Sequence, residues 1–362
     1  MENSGKTATD SRDTDPIQRI KCASHALPPP PMTAPLAAPA SGQPPYIGAV
    51  VVTFNPAPAR LLEVIAAVAP QVREILVVDN GSSNPPASHL QILAQTPLFL
   101  LELGDNYGIA AAQNLGLAWL RGRAASHALI LDQDAVAAPG MVGAVLEEMQ
   151  SREAGGERAA AVGPLICDPR RNAPAPFFRV ARFGMQRITA PDPGERSCRA
   201  DFLISAGALL AMRALDDIGP MDEALFIDYV DLEWCMRATQ RGYRLYGHYG
   251  TRIDHRLGEE PLRFLGRRFM SHSPLRHYYM SRNALTLWRM PHARFGWKCF
   301  DAFALAVRGI LFGTLAPRRA EHLRMILRGV SDGLRGKRGR QDQAAPGWHV
   351  PDEVRRREPR AL

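Results

Sequence analysis

The sequence predicts an α/β fold with a mostly parallel sheet flanked by helices, and three observations predict it. Apolar runs recur at Ile47 to Val52, Ile75 to Val78, Leu98 to Leu103 and Ala128 to Leu131. Strands buried on both faces of a parallel sheet read as continuous apolar runs rather than alternating ones. Helical stretches separate them, one after Pro56 and ending near Val68, another from about Ile109 to Leu120. The first, second and fourth runs end in Thr53, Asp79 and Asp132, the strand ends at which such sheets bind ligands.

With 362 residues, 46% of them hydrophobic, there is material for one large domain or two smaller ones. The net charge of +8 is compatible with nucleic acid, an anionic membrane surface or an anionic substrate, so its location decides. Asp301 to Arg340 holds nine Lys or Arg against three Asp or Glu, which makes the excess C-terminal. That segment has little aromatic interleaving, so nucleic acid is not expected. Five scattered cysteines without Cys-x-x-Cys spacing argue against a disulfide framework or a zinc site and fit a reducing cytoplasm. Residues 1–27 are polar and lack the apolar core of a signal peptide.

Residues 1–45, rich in Pro, Ser, Thr and Ala, read as a disordered leader or a mistaken translation start. Order is expected from Tyr46. The strand Glu74 to Asp79 runs into Asn80, Gly81, Ser82 and Ser83, a turn able to adopt positive φ. Asp79 there either opens an Asx-turn or accepts a base N–H or ribose hydroxyl. No Gly-x-Gly-x-x-Gly follows the first strand and no Walker A sequence occurs, which disfavours dehydrogenases and NTPases but leaves a sugar nucleotide open. Asp132 and Asp134, two apart at a strand end, point the same way and suit a hard divalent cation shared with a diphosphate. The arginines between 151 and 200 read as a solvated face.

Further on, Leu203 to Leu210 reads as a strand interrupted by Ser205 and Gly207, where a backbone or ligand approaches closely. Asp228 or Asp231 suits the cap of a helix on which Glu233 and Arg237, four apart, pair. Either carboxylate also suits a general base. His255 follows Asp254 at a strand end, and Arg276 to Asn283 leads into a helical stretch to Trp288 with a charged face.

These blocks together resemble the inverting family 2 glycosyltransferases of GT-A fold, within them the bacterial rhamnosyltransferase branch. The resemblance rests on Val52-Thr53-Phe54-Asn55, Val78-Asp79-Asn80-Gly81-Ser82, Asn106-x-Gly108-x-Ala110 with Asn114-x-Gly116, Asp132-Gln133-Asp134 and the Asp228 to Arg237 block, over residues 46–290. It implies that Thr53, Asn55 and Asp79 contact base and ribose, with Asn106 and Gly108 bordering the nucleotide. It implies that Asp132 touches ribose or metal and that Asp134 and His255 ligate Mg²⁺ or Mn²⁺. Ser205 and Gly207 would lie below the acceptor, and Arg276 and Arg282 would approach the diphosphate. The base position matches Asp231, with Asp228 second; Val230 stands where many relatives carry another acid.

The resemblance implies transfer of L-rhamnose from dTDP-rhamnose to a lipid-linked or growing surface glycan, with UDP-galactofuranose or UDP-GlcNAc as other donors. A different class would be a non-catalytic binder of anionic ligands or membrane surfaces through the basic C-terminal segment. Residues 291–340 are expected to be a helical, basic extension. Phe295 to Leu315 is too short and too charged to span a bilayer; it either lies on an anionic membrane surface or packs on the catalytic domain or a partner subunit. Residues 341–362 are expected to be a disordered tail, and the location cytoplasmic, peripheral at the inner membrane face.

Overall fold

Strand β1 (Ile47–Thr53) is buried along its whole length and forms the middle of the site-bearing half. In this computed structural model, which describes residues 44–90, 96–171, 173–256, 258, 262–264, 267–269, 272–345 and 347–362, β1 lies parallel to β2 (Glu74–Asp79) and β4 (His127–Asp132). The expected leader falls outside the described residues up to position 43. Beyond β2 runs β3 (Leu98–Glu102), also parallel.

Helix α1 (Pro58–Val68) starts with Pro58, whose missing N–H costs nothing at that position, and buries Leu61, Val64, Ile65 and Val68, one face at helical spacing. A single turn, α2 (Ala87–Leu90), precedes β3. Helix α3 (Ile109–Gly122) packs directly on β1: a Cβ at Gly116 would stand 2.4 Å from Val50 Cγ1, so only glycine permits the approach. After β5 (Val136–Ala137) come α4 (Met141–Ala154), β6 (Ala159–Cys167), the hairpin β7 (Phe177–Ala181) and β8 (Gly184–Ile188), and β9 (Ser197–Ala200).

The stretch read as one strand from Leu203 to Leu210 is extended only as β10 (Ala208–Ala211). Gly207 at φ +86° turns the chain into it, leaving 203–205 to wall a cleft. Next follow α5 (Met212–Ile218), α6 (Val230–Gln240), β11 (Arg244–Asp254) and the short hairpin β12 (Leu262–Phe264) and β13 (Arg267–Phe269). Among the described residues the sheet order ends β3-β2-β1-β4-β10-β6-β11-β5, with β10 antiparallel to both neighbours and β9 on β11. The sequence order reverses about β1, which opens a crevice at the carboxyl ends of β1 and β4.

Three helices close the other side: α7 (Pro274–Trp288), α8 (Phe295–Thr314) and α9 (Arg319–Leu334). No helix among the described residues is long and apolar enough to cross a membrane. The segment expected to be a disordered tail is instead structured. It holds α10 (Asp352–Arg355) and β14 (Arg360–Ala361), which pairs antiparallel with β3. Val350 and Val354 are buried in the main core, Arg355 meets Glu223 and Arg360 meets Glu102 at 3.1 Å. The acids that neutralise this arginine-rich segment lie far away in the chain, so its local composition imitates disorder.

Candidate active site

A cleft of about 740 Å³ opens where β1 and β4 end, bounded opposite by α6, α7 and α8. Thr53, Asn106, Gly108, Asp132, Asp134, Ser205, Asp228, Asp231, His255 and Arg276 line it, ten of the fourteen residues expected at a site. Parallel register sets the first wall, because Thr53 pairs with Asp79 and Val52 with Asp132.

Asp79 does not line the cleft. It is buried, and its carboxylate accepts from Thr53 Oγ1 at 2.9 Å, Ser82 N at 3.0 Å and Ser82 Oγ, so it pins the turn as an Asx-turn does. Asn55, exposed at φ +48°, accepts from Ser83 N at 2.9 Å and stands outside as well. The turn instead presents Asn80, which donates to Asn106 Oδ1 at 3.1 Å and accepts from Tyr107 N. Gly108 at φ +88° brings α3 against Phe226, and the first amides of that helix are already taken, Gly108 N by Asn106 and Ile109 N by Phe226 O.

At the end of β4, His255 Nδ1 lies 3.1 Å from Asp134 Oδ1 and its Nε2 3.5 Å from Asp132 Oδ2. Burial works against a proton on His255, but the carboxylates outweigh it and hold its pKa above the ordinary value. Burial lifts Asp132 to about 6, His255 opposing the shift. Arg60 of α1 fixes both loops, donating to the carbonyls of Asp134 at 2.9 and 3.1 Å and of Asp254 at 3.2 Å. Among the described residues no three such side chains converge on one point. The pairwise spacings nevertheless approach the ~3 Å that separates ligands about 2.1 Å from a shared octahedral ion. His255 Nδ1 is buried, and its approach to Asp134 lacks hydrogen-bond geometry, which leaves a nitrogen without an in-line partner among the described residues. Two carboxylates and an imidazole are a donor set that suits Mg²⁺ or Mn²⁺.

The facing wall centres on Asp231 in the first turn of α6. Ser205 N donates to its Oδ2 at 2.9 Å and Ser205 Oγ to its Oδ1 at 2.6 Å, while Gln113 Nε2 donates to Ser205 Oγ at 3.0 Å. Burial raises the Asp231 pKa above the usual carboxylate range against these bonds, with Asp228 adding to the rise. Ser205 is thus spent on orienting Asp231. Asp228, at φ +62°, is engaged by Arg276 through both carboxylate oxygens. Glu233 and Arg237 pair at 2.8 Å, and Arg237 also ties down the carbonyls of Ile218 and Pro220, a structural role.

Besides Asp79 and Asn55, two more expected residues are displaced from the site. Gly207 packs below the wall, where a Cβ would meet Ile253 at 2.9 Å. Arg282 is fully buried, donating to the carbonyls of Gly339 and Leu225 (2.8 Å) and to Asn283 Oδ1 (2.8 and 2.9 Å). It locks α7 to the C-terminal segment. Residues not anticipated in the cleft include Asn80, Gln133, Tyr229, His272, Met280 and Arg308. Asn80 and Gln133 lie inside the Val78 to Ser82 and Asp132 to Asp134 motifs, whereas Arg308 carries no local sequence signal.

Residues 49–194 match the family described as Glycosyl transferase family 2. Those residues form a family 2 glycosyltransferase domain. The glycosyltransferase is 27% identical over 301 residues to the dTDP-rhamnosyl transferase RfbF of Shigella flexneri, covering 81% of this chain and 97% of that protein. Among solved structures it resembles GalNAc-T7 with UDP, GalNAc and Mn²⁺ at a TM-score of 0.51 and 13% identity, over 80% of this chain and 56% of that one. The chain therefore spans little more than half of that structure, and the likeness is one of fold, the GT-A architecture. S. aureus TarS in complex with UDP-GlcNAc follows at a TM-score of 0.49 and 13% identity, over 80% and 92% of the two chains.

Proposed function

We propose that this transferase moves L-rhamnose with inversion from dTDP-rhamnose to a hydroxyl of a lipid-linked or growing surface glycan. The observation that carries the proposal is Asp231, oriented by Ser205 and facing the cleft that Asp132, Asp134 and His255 border from the other side. In this reading Asp231 takes the proton from the acceptor hydroxyl as its oxygen attacks the anomeric carbon. The bond from that carbon to the diphosphate oxygen breaks, and the nucleoside diphosphate leaves. Asp228 is the weaker candidate for the base, because Arg276 occupies its carboxylate. Asp132, Asp134 and His255 would hold Mg²⁺ or Mn²⁺, which offsets charge on the departing diphosphate. Thr53, Asn80 and Asn106 would receive the nucleoside, with Asp79 and Asn55 shaping the loop from behind. The name of the Shigella relative supports the donor, and its match extends over most of both chains.

Work at the inner membrane face would suit the exposed side of the helical extension. There α8 presents Phe295, Phe300, Phe303 and Ile310, and α9 presents Leu323 and Leu327 beside Arg324 and Arg328. Apolar groups flanked by cations match an anionic lipid surface. Co-sedimentation with anionic vesicles but not neutral ones is the expected result; dimerisation without vesicle binding would replace it with a subunit interface.

Calorimetric titration with dTDP, UDP and GDP, each with Mn²⁺ and with EDTA, tests the donor on the native chain and Asp134→Ala. Metal-dependent binding that prefers dTDP and is lost in the variant is expected. A preference for UDP would discard the sugar and keep the enzyme class.

A further inference from the structure

Arg308 reaches from α8 into the cleft, and its Nη1 is buried without a hydrogen-bond partner among the described residues. The nearest carboxylate on its own helix, Asp301, is already taken. Its Oδ1 accepts from Tyr229 OH at 2.7 Å and its Oδ2 from Trp288 Nε1 at 2.9 Å. The other arginine on this wall, Arg276, is matched by Asp228. Beside Arg308 stands His272, 94% buried, lining the same cleft and also holding an unpartnered ring nitrogen, Nδ1. Burial together with Arg276 and Arg308 keeps that ring neutral, its pKa near 4. The Arg308 guanidinium reaches Tyr229 and feels the Asp301 charge, but its Nη1 is left over, and an unmade buried N–H on a charged group costs more than on a neutral one, so two unpartnered buried nitrogens on one cleft wall mark a place for a ligand.

We propose that Arg308 and His272 form an oxyanion subsite that binds a phosphoryl group of one of the two substrates. The proposal rests on the transferase reading above and adds a ligand class to the wall opposite the strand ends. Guanidinium donors suit phosphate oxygens, and a neutral imidazole adds one further N–H. Two sources supply that chemistry: the diphosphate of the donor, or a diphosphate carried by the acceptor. Helix α8 has its own bearing on the second, since it turns Arg308 into the cleft and Phe295, Phe303 and Ile310 outward. An amphiphile with a diphosphate head and an apolar tail would meet both faces of one helix.

The test is calorimetric titration of the full chain with dTDP, inorganic diphosphate and farnesyl diphosphate, the last two with and without dTDP. It uses the native chain, Arg308→Gln, Arg308→Lys and His272→Asn, with melting temperatures recorded for each. Arg308→Gln is expected to weaken at least one of these ligands tenfold or more, Arg308→Lys less, and His272→Asn threefold or more for the same ligand. Loss confined to dTDP assigns the subsite to the donor; loss confined to farnesyl diphosphate assigns it to the acceptor. Binding within twofold of native for every ligand in all three variants, or no binding of any ligand by the native chain, overturns the proposal. Failure of native dTDP binding alone, with diphosphate binding still sensitive to Arg308, instead sinks the donor named above and leaves the subsite standing.

Discussion

The two walls of the cleft are built by different means. On the strand-end side, backbone register does the placing: Thr53 and Asp132 end two neighbouring parallel strands, with Asp79 behind Thr53 on the next, and each position follows from the strand that carries it. On the facing side, side chains place one another. Ser205 holds Asp231, Gln113 holds Ser205 and Arg276 holds Asp228, across elements up to 92 residues apart in the Gln113 to Ser205 bond. A wall set by a ladder of backbone bonds tolerates side-chain change, whereas a wall set by side-chain bonds loses its geometry when one member goes.

The sharpest way to break the comparison is Asp231→Asn, expected to lower turnover about 10³-fold while dTDP binding stays within about twofold, because only the facing wall is touched. Turnover near the native rate would move the base to Asp228. Next in size is deletion of residues 347–362, which strips Val350 and Val354 from the core. Burying such a side chain stabilises by about 1.5 to 3 kcal/mol, so a fall in melting temperature of about 5 °C or more is expected by calorimetry.

Ser205→Ala probes the side-chain wall more gently. The serine hydroxyl stabilises the Asp231 carboxylate, so its loss raises a pKa that burial has already lifted. As the proposed base, Asp231 acts deprotonated, and the acidic limb of the kcat/KM profile is therefore expected to move to higher pH, with a loss of about tenfold near that limb. An unmoved limb would detach Ser205 from the base. The smallest effect belongs to Arg355→Ala, whose half-exposed pairing with Glu223 is worth under about 1 kcal/mol, read by denaturant titration.

The same contrast governs what the sequence revealed. The β-α-β half was legible because continuous apolar runs, turn residues and strand-end acids sit within a few positions of one another. Asp231, Asp132, Asp134 and His255 were legible as motif members, and they do meet in one cleft. Asp79 was legible as the start of an Asx-turn and Asn55 only as a member of the family motif, and neither was legible as a support of the loop, since a motif gives position and not the direction of a side chain. The resemblance placed Arg282 near the diphosphate, but a motif does not report burial; only the fold brings the carbonyls of Leu225 and Gly339 to it. Arg308 was silent because its neighbours Tyr229 and His272 come from other helices and loops.

The last strand carries a practical consequence for handling the protein. Leu362 N donates to Leu98 O at 3.0 Å, and β14 covers an edge of the sheet that would otherwise offer unpaired backbone to a second chain. A purification tag or fluorescent fusion appended after Leu362 would pull on that seam and invite aggregation through β3. The same label placed ahead of Tyr46 would leave the seam closed, and comparing the soluble yields of the two versions is a bench-top measure of how much the seam protects.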